Sequence, residues 1–267
     1  MIRALHTAAS GMTAQQLNVD TISNNLANVN TTGFKREKTN FKSLLYTNLQ
    51  GPAGDTNPAV NQVGHGVRAM SNTRNFSTGA LLATENPTDL AIIGNGFFAI
   101  QQGNEEMYTR DGNLRFALTE DGTQYQLVTA EGYRVNSTED EAILVDGSIP
   151  QDNLVIGDHG QIYYLDNDGV RNDVGQIKLV QFTNREGLEA TGDNLYRRTA
   201  ASGEPLLETE NEALTQSMLR SGYLEGSNVQ LAQEMVNLII AQRAYEVNST
   251  AIKTADEMMQ QANQLKQ

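Results

Sequence analysis

The sequence, 267 residues long, contains no cysteine, which removes disulfides and thiolate metal sites and leaves the chain indifferent to redox compartment. Histidine is scarce: His6, His65 and His159 fall in three separate regions, and nothing gathers them with carboxylates at metal spacing. No apolar run is long enough to span a bilayer, and the start, Met1-Ile2-Arg3-Ala4-Leu5-His6-Thr7, lacks the apolar stretch of a secretory signal. Membrane insertion is not expected, and export would have to use another route. Charged residues make up only 19% of the chain, yet the net charge is −13 and the isoelectric point about 4.6. That balance argues against nucleic acid and against anionic membrane surfaces, and its simplest effect is solubility.

Catalytic patterns are also missing. There is no Gly-x-Ser-x-Gly elbow, no Ser/His/Asp arrangement and no localisable carboxylate pair. Gly94-Asn95-Gly96-Phe97-Phe98-Ala99 fits a dinucleotide-binding pattern, but a strand follows it where a helix should, so no helix N-terminus faces a pyrophosphate, and a hairpin is expected. Asp166-Asn167-Asp168-Gly169 has part of a calcium loop, with Tyr164 and Gly175 where the first and last carboxylate ligands belong; it reads as a turn. No catalytic, cofactor-binding or metal-binding residue is assigned, and no enzymatic activity is expected.

What is present is organised from the ends inward. Ser227 to Gln267 contains neither Gly nor Pro, and Leu224, Leu231, Leu238, Tyr245, Ile252 and Met259 recur every seven residues with Met235 and Ile239 beside them. A stripe so narrow is a seam, which only another long helix can dry. Residues 2–29 supply one: Leu5, Met12, Val19 and Leu26 have the same period, with Ala8, Gln15, Ile22 and Val29 as the companion row. Ser10-Gly11 is its weak point, since an interior Gly costs roughly 1 kcal/mol relative to Ala. The Asn-rich stretch Ser23 to Gly33 should end the helix, Asn competing for backbone hydrogen bonds and Gly accepting a left-handed conformation.

Phe34 to Tyr46 is locally basic and amphipathic, and reads as a solvated face or as a contact for an acidic neighbour. Gln50 to Gly66 is rich in Gly, Pro, Asn and Thr and reads as a linker. From Val67 to Arg220 the period changes to two: short alternating runs such as Asp89-Leu90-Ala91-Ile92-Ile93 and Gln176 to Phe182 are separated by Asp-Gly and similar pairs, the signal of two-residue hairpins. The expected fold is α+β: N- and C-terminal helices (1–33 and 224–267) paired as a coiled-coil polymerisation domain, a connector (34–66), and an inserted antiparallel all-β domain (67–223).

Ala9-Ser10-Gly11-Met12 through Ile22-Ser23-Asn24-Asn25-Leu26-Ala27-Asn28-Val29-Asn30-Thr31-Thr32-Gly33-Phe34-Lys35 resembles the N-terminal signature of bacterial flagellar rod and hook proteins. Ser227 to Val236, Ala241 to Glu246 and Lys253 to Met258 resemble the matching C-terminal signature. Asp89 to Phe98 and Tyr108-Thr109-Arg110-Asp111-Gly112-Asn113 are similar to internal motifs of that family. The resemblance covers essentially the whole chain and implies a structural subunit exported through the growing axial structure without a cleavable signal. It also implies a tube whose inner layer is the paired helices, with other rod and hook proteins, and ring or bushing proteins, as partners. The seam would then join Leu5, Met12, Val19, Ile22 and Leu26 to Leu231, Met235, Leu238, Tyr245 and Ile252. Asn24, Asn25, Asn28, Lys35 and Arg36 would contact neighbouring copies. A coiled-coil-stalked β module that grips a ligand is the rival from another class.

Overall fold

The computed structural model describes residues 2–48, 62–119, 122–147, 149–150, 153–166, 170–209, 211 and 214–265. By backbone packing the chain falls into two units, one comprising residues 1–27, 37–75 and 229–267, the other residues 28–36 and 76–228.

The first, helical unit is built on α1 (Ile2–Ala27) and α2 (Leu231–Gln264). α1 stops within the Asn-rich stretch, and Gly33, six residues on, has φ +67° without capping the helix: a Cβ there would fall 2.8 Å from Asp111 N. The helix runs unbroken through Gly11, where a Cβ would stand 3.0 Å from the Asn248 amide nitrogen. The missing side chain therefore lets α2 approach, which offsets the intrinsic cost of glycine.

The same unit contains β1 (Glu37–Ser43), β2 (Tyr46–Asn48), β3 (Gln62–Gly64) and β4 (Val67–Arg74). β1 pairs antiparallel with β4, with a register shift at Asn40/Phe41, and β2 pairs with β3. Residues 37–43 and 67–74, expected to lie in the connector and in the β domain, form an antiparallel ribbon that packs with α1. Exposed on most positions, this ribbon has no apolar alternation to announce it. Most of the expected linker, residues 49–61, lies outside the described residues. α1 is fastened to the ribbon by polar contacts at three residues, the first a 3.4 Å hydrogen bond from Val67 N–H to Ser10 Oγ. Thr21 and Thr39 share a hydroxyl hydrogen bond of 2.8 Å, and the Asn25 amide, buried, donates to Glu37 O and accepts from Glu37 N–H, both at 2.8 Å. The Asn25 side chain so acts as a surrogate strand partner.

The β unit opens with β5 (Leu81–Ala83), β6 (Leu90–Ile93), β7 (Phe97–Gln102), β8 (Glu105–Thr109), β9 (Leu114–Leu118) and β10 (Gln124–Thr129). It continues through β11 (Arg134–Val135), β12 (Leu144–Asp146), β13 (Leu154–Ile156), β14 (Gln161–Leu165), β15 (Arg171–Gln176) and β16 (Leu179–Gln181). It ends with β17 (Glu189–Gly192), β18 (Leu195–Arg197), β19 (Leu206–Leu207), β20 (Met218–Ser221) and β21 (Tyr223–Glu225). β7 to β12 and β16 to β19 form one ten-stranded sheet, β13 to β15 a three-stranded one, and β20–β6 and β21–β5 are two-stranded ladders. Pairings among the described strands are antiparallel, as the alternating runs imply.

β7 explains why the unit holds. Phe98 and Ile100 point into one apolar core with Leu90, Ile92, Leu127 and Ile162; Phe97 and Ala99 point into a second, with Phe76, Tyr108, Phe182 and Tyr196. Successive strand residues face opposite ways, so a strand buried on both faces reads as a continuous apolar run. The second core is aromatic, its rings edge-to-face at centroid separations of 4.8–6.0 Å.

The turns depart from expectation. A type I′ hairpin needs positive φ at both central residues, as Asp193 (50°) and Asn194 (56°) have between β17 and β18, while the two-residue turn Gly103-Asn104 between β7 and β8 has positive φ at Gly103 (62°) alone. Asp111-Gly112 is no hairpin: a Cβ on Gly112 would fall 1.6 Å from Leu90 O, and the glycine is there for close approach. Gly94-Asn95-Gly96 joins β6 and β7, which belong to different ladders, so it is a turn between sheets and not a hairpin. Asp121 and Asn167 to Gly169 lie outside the described residues.

Candidate assembly surface

Within the helical unit α1 and α2 lie along one another. On α1, Ile22 is buried and Leu5, Met12, Val19 and Leu26 are half-buried; on α2, Leu238 and Ile252 are half-buried while Leu231, Met235 and Tyr245 are exposed. The residues that α2 buries are Glu234, Ala241 and Ala255, and with half-buried Asn248 they too recur every seven residues. This series stands three residues on from Leu231, Leu238, Tyr245 and Ile252, at the other apolar position of a heptad. Its side chains are too small or too polar to stand out in the sequence, although the heptad geometry alone requires a second row at that offset. Small residues, Ala241 and Ala255 on α2 and Ala8, Gly11 and Ala14 on α1, permit the close approach.

The large apolar residues of α2 consequently stay outside. Leu231, Met235, Val236, Ile239, Ile240 and Val247 are 49–68% exposed. Leu231, Met235 and Ile239 follow one another at four-residue steps, as do Val236 and Ile240, so they form a continuous arc. A shallow groove between the helices, lined by Gln16, Val19, Gln242, Tyr245 and Glu246, runs beside it.

Of the residues expected to reach neighbouring copies, Asn24 is exposed and Asn28 and Arg36 are half-buried. Asn25 and Lys35 are not available: both are buried with partners in their own unit. Lys35 Nζ lies 2.5 Å from Glu225 Oε1 and donates to Ser77 O at 2.9 Å. Arg110 Nε stands 3.5 Å from Glu225 Oε2, at ion-pair distance without hydrogen-bond alignment, while its terminal nitrogens donate to Gly94 O (2.5 Å) and Phe76 O (3.4 Å). Glu225 Oε1 also accepts from Gly79 N–H, and Glu225 O from Gly33 N–H, both at 2.8 Å. Burial, followed by repulsion from Arg110, pulls the Lys35 ammonium down to a pKa of about 8 despite Glu225. Burial likewise lowers the Arg110 guanidinium. Sequence reasoning took the basic segment for surface and missed this cluster, though Lys35 and Arg110 both fall inside the family-like stretches.

The three histidines are exposed, His65 sharing a 2.5 Å hydrogen bond with Thr47, and no group of potential metal ligands occurs among the described residues. No described helix is long and apolar enough to cross a membrane.

The model of the family described as "Flagella basal body rod protein" matches residues 5–35. That of "Flagellar hook protein FlgE/F/G D1 domain" matches 91–164, and that of "Flagellar basal body rod FlgEFG protein C-terminal" matches 220–265. The flagellar basal-body rod protein FlgG of Borreliella burgdorferi is 43% identical over 273 residues, covering 100% of this chain and 99% of that protein. The chain belongs to the flagellar basal-body rod family. FlgG of Bacillus subtilis is 39% identical over 272 residues, with 100% of this rod-family chain and 100% of that protein covered. The crystal structure of the Helicobacter pylori hook protein FlgE2 aligns with a TM-score of 0.24 and 15% identity over 63% of this chain and 47% of that one, too remote to inform the fold. The relatives are structural rod proteins and not enzymes, and membership makes this chain a structural subunit of the flagellar rod.

Proposed function

We propose that the chain is a distal-rod subunit that polymerises helically, through its two terminal helices, into a rigid hollow shaft carrying torque from motor to hook and serving as export channel. The observation that carries this reading is the apolar arc of α2. An arc of six large apolar residues half exposed or more is unusual on a finished monomer and marks a surface meant for burial. Heterologous contacts on such a surface, repeated from copy to copy without closing, generate an open helix. α1 and α2 pair as a coiled coil, with Ala241, Asn248 and Ala255 as its inner row; Leu231, Met235 and Tyr245 then look to neighbouring copies, while Leu238 and Ile252 join the pair.

Relatives called FlgG match at about 40% identity, whereas FlhP of Bacillus subtilis, a hook-basal body complex protein, matches at 31%, which favours the distal rod over a proximal-rod or hook-type role. In this reading the subunit works outside the cytoplasm, exported without a cleavable signal, and meets other rod and hook proteins and a surrounding ring. Ile239→Asp tests it. Because Ile239 is exposed, the variant should remain a folded monomer yet form no filaments by electron microscopy under conditions where the unaltered chain does. Filaments of normal diameter from the variant would remove the arc from the assembly surface.

A further inference from the structure

Among the buried charged residues of the β unit, Lys35, Arg110 and Glu225 meet at one place that has no part in the assembly surface and needs another account. Lys35, Arg110 and Glu225 come from the beginning, middle and end of the chain, and each side chain is fully buried. Two cations share one carboxylate. Glu225 is the last residue of β21, which is held by only three rungs, Tyr223↔Ala83, Leu224↔Leu82 and Glu225↔Leu81. The backbone beyond it is laced to the same place: Gly226 N–H donates to Ala80 O at 2.8 Å, and Asn228 takes the Arg36 N–H at 2.8 Å while donating to Ser77 O at 3.1 Å.

Without β21 in position, the site would enclose two like charges with backbone carbonyls, and for Arg110 the Phe97 ring 5.4 Å away, as their nearest partners and no carboxylate between them. An uncompensated buried charge is among the costliest single defects a core can carry, and Arg110 and Lys35 also repel each other. We propose that Lys35, Arg110 and Glu225 form a charge-balanced closing latch: the β unit locks the segments around Gly33–Arg36 and Phe76–Gly79 only when Glu225 docks, so that closure waits for the end of the chain. Nothing in this depends on the polymer reading. The latch operates in the isolated chain, and its failure would leave the assembly surface untouched.

Two experiments on the full chain test it. In native-state hydrogen exchange, Glu225→Gln should speed the Gly33 and Gly79 amides by about two to three orders of magnitude, the range expected when a buried ion pair loses one partner. Adding Lys35→Met should restore most of that protection, because it removes the repulsion that Glu225 no longer balances. If Glu225→Gln alone does not fold, refolding of the Lys35→Met/Glu225→Gln chain is the same rescue read more coarsely. In pulse-labelled refolding, the Leu90 amide, which donates to Gly112 O beside Arg110, should gain protection in the same phase as Gly79. Protection of Leu90 before Gly79, or a double variant no better than Glu225→Gln, would overturn the latch.

Discussion

Residues 76–228 carry 25 of the chain's 32 acidic residues and 9 of its 19 basic ones, while the segments of the helical unit hold 7 acidic and 8 basic residues. The β unit pairs that excess of charge with an interior in which β7 buries side chains on both faces. α2 does the reverse, burying Ala241 and Ala255 and presenting Leu231, Ile239 and Ile240 to solvent. The difference teaches which part of the molecule its own chain completes. An acidic surface over a closed core needs no partner for stability, whereas a nearly neutral helix with its large side chains outward leaves most of its hydrophobic stabilisation to be gained on association.

The comparison can be attacked from either side. The largest expected effect is in the β unit: Phe98→Ala opens a cavity in a fully buried site and should lower unfolding free energy by about 3–5 kcal/mol, measured by denaturant titration. Asn25→Ala should cost less, about 1–3 kcal/mol by thermal unfolding, because it strands the Glu37 N–H and C=O that the amide now satisfies.

A subtler effect concerns pH. Lys35, facing Arg110, Glu225 and the more distant Arg185, has its folded pKa lowered from 10.5 to about 8, so between those values the unfolded chain binds more protons than the folded one. Stability from this group should therefore rise as pH increases from about 8 toward 10.5, and Lys35→Met should flatten that rise. Lys178 should act oppositely. Burial disfavours its charge, but Asp140 and Glu106, the latter 2.8 Å away, outweigh it and raise the pKa, so its contribution is intact below 10.5 and fades as pH climbs through the higher folded value. Smallest of all on stability is Ile240→Asp, within about 0.5 kcal/mol for the monomer, since the residue already faces water. A large loss there would mean that α2's arc is covered within the subunit after all.

The sequence was most legible where a periodic apolar pattern coincides with burial. Both terminal helices and the strands around Leu90–Ile93 and Phe97–Ile100 stand where their periods put them. It was least legible where contact is made by small or polar groups. Ala241 and Asn248 line the helix contact without looking apolar enough, Thr39 and Phe41 sit on a ribbon with no alternation, and Asp193-Asn194 makes a hairpin turn with positive φ at both residues although it contains no glycine. Lys35 shows the same limit for charge. A lysine among Arg36 and Lys38 reads as surface, and only the distant Glu225 and Arg110 explain why it is inside.

Because the chain has no cysteine, one introduced at position 239 is the sole thiol. The decisive measurement is the rate at which a thiol reagent labels Ile239→Cys in dilute monomer and in assembled filaments. If α2's apolar arc is what neighbouring copies cover, labelling should be fast in the monomer and largely blocked in the filament. Equal rates in the two states would contradict the account.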